Sequence, residues 1–134
     1  MTKITSTTMK KIINTSNAPN PVGPYNQAIL FDGTLYLSGQ IALDPINSKM
    51  RDETIETETR QVFKNIKAVL EKANYNFENI IKTTIFLTDM DDFQKVNEIY
   101  GSYFEIGNEP ARETVEVSGL PKGARVEISL IAIK

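Results

Sequence analysis

The chain of 134 residues contains no cysteine and no histidine. Their absence excludes disulfides, nucleophile systems built on a thiol or an imidazole, and any ordinary thiolate or imidazole zinc site. We therefore expect no metal and no cofactor. Catalysis, if the protein is an enzyme, must use carboxylates, arginine, lysine, tyrosine, hydroxyls or backbone groups.

Long apolar runs and blocks of positive charge are also missing. No window approaches the roughly 20 apolar residues that a membrane-spanning helix needs, and the N-terminal stretch lacks the apolar core of a signal peptide. The 15 basic and 17 acidic residues give a net charge of −2, so the sequence offers no surface suited to follow a phosphate backbone. These features predict a cytoplasmic protein that binds neither membrane nor nucleic acid.

The overall composition is that of an ordinary soluble domain. Hydrophobic residues make up 40% of the chain and charged residues 24%, which is typical of a globular protein large enough to bury a core. We expect a single domain over residues 1–134. Residues 1–10 are expected to form a loose N-terminal extension.

The first half of the chain predicts a hairpin followed by a helix. The segments "NQAILF" and "TLYLSG" flank Asp32 and Gly33, a two-residue pair that tolerates positive φ in a tight turn. Between Glu56 and Asn74, apolar residues recur at the three-and-four spacing of an amphipathic helix, and Thr54 is available as its cap.

The second half predicts a strand, a helix and two final strands. The segment "NIIKTTIFLTDM" is β-branched and apolar, and acidic residues then precede a helical pattern from Phe93 to Phe104. The last strands are predicted at Ala111–Val117 and Arg125–Ile133, joined by "SGLPKGA". The order β-β-α-β-α-β-β favours an α+β fold with a mixed sheet that carries both helices on one face.

Alternation along the last two strands predicts which side chains share a face. In the last strand, one side is expected to carry Val126, Ile128, Leu130 and Ala132, and the other Arg125, Glu127, Ser129, Ile131 and Ile133. In the preceding strand, Arg112, Thr114 and Glu116 lie opposite Val115 and Val117, so Arg112 is not required to enter the core beneath the helices. Because the second side of the last strand ends in apolar residues, we expect self-association.

Arg112 and Glu127 are a cation and a carboxylate inside these two predicted strands. The ordinary interpretation is that both are solvated charges on the wet face of a sheet. The alternative is a catalytic site that binds a carboxylate, since a guanidinium offers a permanently charged, bidentate fork.

Five segments together resemble the RidA family, also called YjgF/YER/UK-type proteins. They are "APNPVGPYNQA", "LYLSGQIALDP", "FKNIKAVLEKAN", "VNEIYGSYF" and "PARETVEVSGLPKGARVEISLIA". The resemblance implies a chorismate-mutase-like α+β fold assembled as a homotrimer with clefts between subunits. It also implies a 2-iminobutanoate/2-iminopropanoate deaminase, which hydrolyses enamine and imine products of pyridoxal-phosphate-dependent dehydratases to 2-oxo acids and ammonia.

The resemblance also implies roles for individual residues. Arg112 matches the family's carboxylate-binding arginine, and Glu127 matches a glutamate placed to guide water and protons. Other cleft positions of the family fall on Tyr25, Ser38, Gly39, Asn97 and Thr114, which are expected to bind the substrate. Taken alone, these residues fit two turns, a strand and an exposed helix position equally well.

The sequence departs from the family pattern at Thr114, where many members carry cysteine, at Asn26, where serine is common, and at Ala42, where proline is frequent. These departures leave Arg112 and Glu127 in place. Three other functions stay open at this point: a trimer that binds a 2-oxo acid or regulates without turnover, a chaperone-like surface, and the RNA cleavage for which some members are named.

Overall fold

The computed structural model describes residues 9–134, which form six strands and two helices. The strands are β1 (Lys11–Ile13), β2 (Ala28–Phe31), β3 (Thr34–Gln40), β4 (Ile80–Leu87), β5 (Ala111–Glu116) and β6 (Val126–Ile133), and the helices are α1 (Ile55–Lys72) and α2 (Phe93–Gly101). The predicted N-terminal extension lies outside the described residues except for Met9 and Lys10, which are exposed.

The six strands form one mixed sheet in the order β1-β2-β3-β6-β4-β5. Neighbouring strands are antiparallel except β4 and β5, which run parallel and are connected through α2. This arrangement confirms the predicted α+β class with its mixed sheet. The sequence did not predict β1, because three residues are too few for alternation to be recognised and their extended form depends on pairing with β2.

The predicted hairpin is confirmed between β2 and β3. Asp32 and Gly33 have φ values of 50° and 80°, the left-handed conformation that a two-residue turn requires. The Tyr75 hydroxyl donates a hydrogen bond to the Gly33 carbonyl at 2.7 Å. A turn made by local backbone preference is thereby tied to the segment that follows α1.

Both helices pack on the same face of the sheet. The Thr54 hydroxyl caps α1 by accepting a hydrogen bond from the Thr57 amide at 3.0 Å, as predicted. The predicted second helix is shorter than expected, and Tyr103 follows its end but still stacks on Phe63 with ring centroids 4.2 Å apart. Within residues 9–134, no helix is long and apolar enough to cross a membrane.

The two sides of β6 differ as alternation predicted. The side beneath the helices buries Val126, Ile128, Leu130 and Ala132, whereas the other side leaves Ile131 partly exposed and Ile133 46% exposed. Arg125 is the exception. It precedes the strand, and its Nε donates to the Glu58 carboxylate of α1 at 2.8 Å. Its predicted place on the uncovered side is therefore wrong, because alternation does not extend past the end of a strand.

Alternation did not require Arg112 to enter the helix-covered side, but the structure places it there. Arg112 is in register with Thr83 of β4, whose side chain is buried beneath the helices, and paired residues of neighbouring strands point to the same side. Thr114 shares this side with Arg112. A charged residue can lie on this side because β5 is an edge strand that the helices cover only in part, so its helix-facing residues need not be apolar.

Asn65 connects α1 to the segment that follows β3. Its buried side-chain amide donates to the carbonyls of Ile41 and Leu43 at 3.0 and 2.9 Å, and its oxygen accepts from Gln61 at 3.0 Å. The Ile41 carbonyl also accepts from the Leu43 amide at 2.9 Å, so it is the Leu43 carbonyl that burial would leave unpaired without Asn65.

We expect the Asn65→Ala substitution to lower the free energy of unfolding by about 1–3 kcal/mol, since it leaves the Leu43 carbonyl without a donor and the Gln61 amide without its acceptor. Denaturant unfolding followed by circular dichroism measures the change. The matched control is Asn108→Ala, whose exposed side chain lies in a loop and whose loss should change stability by less than about 0.5 kcal/mol. Equal effects from the two variants would contradict the assigned role.

Candidate functional site

Glu127 projects from β6 on the side that the helices leave uncovered. Its carboxyl is partly buried, and desolvation raises its pKa above the usual value. The carboxylate lies directly against Gly39 of β3, where a Cβ atom would come within 2.5 Å of Oε2. The absence of a side chain at position 39 is therefore what permits Glu127 to take this position.

A cavity of about 40 Å³ opens beside this carboxylate. Its wall is mostly apolar and is formed by three loops and the end of β3: Pro19, Pro21, Val22, Tyr25, Gly39, Gln40, Ile41, Leu43 and Pro121 are among the lining residues. The volume leaves room for about three water molecules. Glu127 is thus a proton acceptor placed beside a small, largely apolar space.

Gln27 holds one wall of the cavity in place. Its buried side chain accepts a hydrogen bond from the Thr15 amide at 2.7 Å and donates to the carbonyls of Thr15, Ala18 and Pro19. The loop over residues 15–22 is not part of a strand or helix that would pair its backbone groups. The Gln27 side-chain amide therefore holds the conformation of the loop that faces Glu127.

Tyr25 and Ser38 differ in what they offer to a ligand. The Tyr25 ring is 45% exposed, and its hydroxyl accepts a hydrogen bond from the Val22 amide at 3.3 Å, which leaves the phenolic proton free to donate. The Ser38 hydroxyl instead donates to the Asn26 carbonyl at 2.7 Å. Ser38 therefore stabilises the backbone beside Gly39, where β3 shifts its register against β6.

Arg112 lies on the other side of the sheet. Its guanidinium stacks over the rings of Tyr100 and Phe93, with the central carbon 4.7 and 5.7 Å from the ring centroids. Within the described part of the chain it forms no salt bridge and no hydrogen bond, whereas Arg51 and Arg125 are both paired with carboxylates. Its N–H donors are consequently available to an anion.

Two further predicted residues lie beside Arg112. Thr114 follows it by two positions on the same side of β5, and its buried hydroxyl is the only buried side-chain polar atom in residues 9–134 without a hydrogen-bond partner. Asn97 is exposed on α2, four residues after Phe93 and three before Tyr100, so it lies on the helix face that carries both rings. A hydroxyl and an amide thus accompany the guanidinium.

The predicted site residues form two groups that do not meet in one protomer. Tyr25, Gly39 and Glu127 line the cavity, and Arg112, Thr114 and Asn97 lie beneath and beside α2. The Cα atoms of Arg112 and Glu127 are two strand spacings and three residues apart, roughly 14 Å, and their side chains point to opposite sides of the sheet. Within one chain the predicted site residues therefore form two separate half-sites.

Sequence reasoning missed the importance of Phe93 and Tyr100. Both belong to the predicted helical pattern from Phe93 to Phe104, but each ring also lies close to the Arg112 guanidinium. The available signal was two aromatic residues seven positions apart, which places them on one helix face. Only the pairing of β5 with β4 shows that this face meets an arginine.

The fold and its two half-sites define a class: α+β proteins with a mixed sheet, an unpaired arginine under the helices and a carboxylate on the uncovered side. The model of the family described as endoribonuclease L-PSP matches residues 15–134. The chain belongs to this family, the RidA/YjgF family.

Relatives and a solved structure agree with this assignment. A RutC family protein of Synechocystis is 52% identical over 124 residues, covering 92% of this chain and 95% of its own. The human 2-iminobutanoate/2-iminopropanoate deaminase is 43% identical over 129 residues, covering 96% and 93%. A crystal structure of a Rid family protein from Yersinia pestis has a TM-score of 0.91 at 52% identity and covers 94% of this chain and 100% of its own. The names differ in the activity they state, so the family alone does not specify one.

We expect Gly39→Ala to displace the Glu127 carboxylate toward solvent, because the new methyl group would occupy its place. Relief of desolvation should then lower the pKa of Glu127 toward the ordinary value, which carboxyl ¹³C NMR titration measures. The control is Gly119→Ala, since a Cβ atom there meets nothing within 4 Å. A pKa that stays equally raised in both variants would show that Gly39 does not determine the position of Glu127.

Proposed function

We propose that this protein hydrolyses short 2-imino acids, and the enamines in equilibrium with them, to 2-oxo acids and ammonia. The observation that carries the proposal is the Arg112 guanidinium, which is stacked on aromatic rings yet has no anionic partner in the described residues. Support also comes from mammalian relatives of 41–45% identity that are named 2-iminobutanoate/2-iminopropanoate deaminase. The site of action is proposed to be the cytoplasm.

In the proposed complex, Arg112 binds the carboxylate of the imino acid through two parallel N–H···O bonds. This contact fixes the molecule at the end away from the reacting carbon. The unpaired Thr114 hydroxyl and the Asn97 amide supply further polar contacts. A carbon doubly bonded to nitrogen is already electrophilic, so the protein has only to orient the substrate and a water molecule and to move protons.

Glu127 is the proposed acid and base. On the protonated imine, it accepts one proton from the attacking water as the water oxygen bonds to the imine carbon and the C=N electron pair moves to the nitrogen, and it then passes that proton to the nitrogen. It next accepts the remaining hydroxyl proton as the carbonyl forms and the carbon–nitrogen bond breaks with its electron pair leaving on ammonia, and it releases this proton to solvent. The products are the 2-oxo acid and ammonia. A raised pKa suits both steps, since the ideal pKa for proton transfer in either direction lies close to the operating pH.

The proposed reaction, which uses both half-sites, would need at least two copies of the chain. Arg112 and Glu127 lie on opposite sides of one sheet, too far apart to contact the same three- or four-carbon substrate. The uncovered face also carries apolar side chains that favour association, including Tyr36 at 50% exposure and Ile133 at 46%. We therefore propose a homotrimer in which Arg112, Thr114 and Asn97 of one subunit face Tyr25, Gly39 and Glu127 of the next.

A trimer that binds a 2-oxo acid without turnover is the second candidate, because the free guanidinium fits the product as well as the substrate. RNA cleavage, the activity in the description of the family model, is disfavoured by the net charge of −2. The role of Glu127 distinguishes the imine hydrolase from the 2-oxo acid binder, since a protein that only binds its ligand does not need an acid or base.

We expect Glu127→Gln to lower the turnover number about 10²–10⁴-fold, the range typical of a general acid and base, while 2-oxobutanoate affinity stays within about two-fold. The rate is measured by generating the imine with a dehydratase and timing ammonia release, and the affinity by calorimetry. Glu56→Gln, an exposed residue of α1, is the control and should change neither. Unchanged turnover, or loss of rate only in proportion to affinity, would reject the hydrolase mechanism.

A site shared between subunits predicts recovery of activity in mixed trimers. Arg112→Lys and Glu127→Gln should each be nearly inactive alone. After the two are mixed, unfolded and refolded together, about a quarter of the interfaces should contain both native residues. The ammonia-release rate should therefore rise to roughly a quarter of the wild-type value.

The control mixes Glu127→Gln with the double variant, in which no interface can contain both residues and no activity should return. Native mass spectrometry confirms that subunits have exchanged. If mixed trimers of the two single variants form but remain inactive, the site is not shared in the proposed way.

A further inference from the structure

The geometry points to Tyr100 as a positioning residue that orients Arg112 and thereby determines how tightly the protein holds an anionic ligand. This inference rests on the proposed role of Arg112 as the carboxylate-binding group. It adds a residue that does not itself touch the ligand. The contact that carries it is the Arg112 guanidinium, 4.7 Å from the Tyr100 ring centroid.

The ring of Tyr100 is itself held from two directions. Its side chain is only 4% exposed, and its hydroxyl shares a 2.7 Å hydrogen bond with the fully buried hydroxyl of Thr83. Thr83 is the residue of β4 that pairs in register with Arg112 of β5. Tyr100 of α2 thus contacts both Thr83 of β4 and Arg112 of β5, and these two residues are paired with each other. The ring of Tyr100 is therefore held in place relative to the strand that carries the guanidinium.

Stacking is the kind of support that a ligand-binding arginine needs. A carboxylate partner would occupy the in-plane N–H donors, which are the groups that recognise an anion. An aromatic ring instead attracts the face of the guanidinium and leaves its edge free. In the described residues no hydrogen bond or salt bridge constrains Arg112, so the orientation of its fork depends on the rings.

Phe93 is the weaker of the two supports. Its ring centroid is 5.7 Å from the guanidinium carbon, and its side chain is 36% exposed with no hydrogen-bonding group. Tyr100 is closer, more deeply buried and anchored at its far end. Loss of the Tyr100 ring should therefore disturb the orientation of the Arg112 guanidinium more than loss of the Phe93 ring.

The first measurement is the calorimetric affinity for 2-oxobutanoate. We expect Tyr100→Leu to weaken binding about ten-fold, and Tyr100→Phe, which keeps the ring, to weaken it less than about three-fold. The matched control is Tyr103→Leu. Tyr103 belongs to the same aromatic cluster and stacks on Phe63, but it makes no contact of this kind with Arg112, so binding should be unchanged.

The second measurement reports orientation directly. In ¹H–¹⁵N spectra, the Arg112 Nε–H resonance, assigned by its loss in Arg112→Lys, should carry a ring-current shift. That shift should persist in Tyr100→Phe and Tyr103→Leu and diminish in Tyr100→Leu. If Tyr100→Leu does not fold, Thr83→Val replaces it, because it removes the hydrogen bond that holds the Tyr100 ring, and it should reduce both the shift and the affinity. No effect from Thr83→Val would then overturn the inference.

The outcomes separate this inference from the proposed function. If Arg112→Lys binds 2-oxobutanoate as tightly as the native protein, the proposed carboxylate site is wrong, whatever Tyr100 does. If Arg112→Lys weakens binding but Tyr100→Leu does not, Arg112 is the ligand-binding group and Tyr100 does not position it. If Tyr103→Leu weakens binding as much as Tyr100→Leu, the effect is a general loss of packing and the inference about Tyr100 is also overturned.

Discussion

The pairing of β5 with β4 is the constraint on which the rest of the site depends. Because the two strands are parallel and in register from Lys82 with Ala111 onward, Arg112 must point toward the helices, where Tyr100 and Phe93 meet it. The same pairing keeps Arg112 away from Glu127, which lies two strands over and on the opposite side. A shift of one residue would turn Arg112 to the side of the sheet that carries Glu127, since successive strand residues alternate between faces.

The separation of Arg112 from Glu127 leaves both charged groups available to a ligand. If Arg112 and Glu127 met within one protomer, each would satisfy the other, as Arg125 and Glu58 do, where both carboxylate oxygens accept hydrogen bonds at 2.7 and 2.8 Å. Such a pair is stable only when fully satisfied, and it leaves nothing for a ligand. Arg112 instead lies over two aromatic rings, and desolvation leaves Glu127 with a raised pKa. In the proposed trimer, this separation makes assembly part of the proposed function.

Local patterns were enough to predict most of the secondary structure. The turn at Asp32 and Gly33, the cap at Thr54 and the apolar spacing of α1 each depend on residues close in sequence, so the sequence alone carries the information. The alternation in β6 also predicted which of its residues are buried. The resemblance to the RidA family pointed to Tyr25, Gly39, Glu127, Asn97, Arg112 and Thr114, which the structure places in two groups, and to Ser38, whose hydroxyl binds the backbone instead.

What the sequence by itself determined is therefore which residues share a face. Which face the helices cover was decided only by the tertiary structure. Arg112 and Thr114 share a side in any strand, but their place beneath α2 follows from the register with β4, and the bond from Arg125 to Glu58 joins residues 67 positions apart. The contact between Arg112 and Tyr100 has the same origin. Periodicity is a property of a few neighbouring residues, whereas the side of the sheet is determined by where distant segments pack.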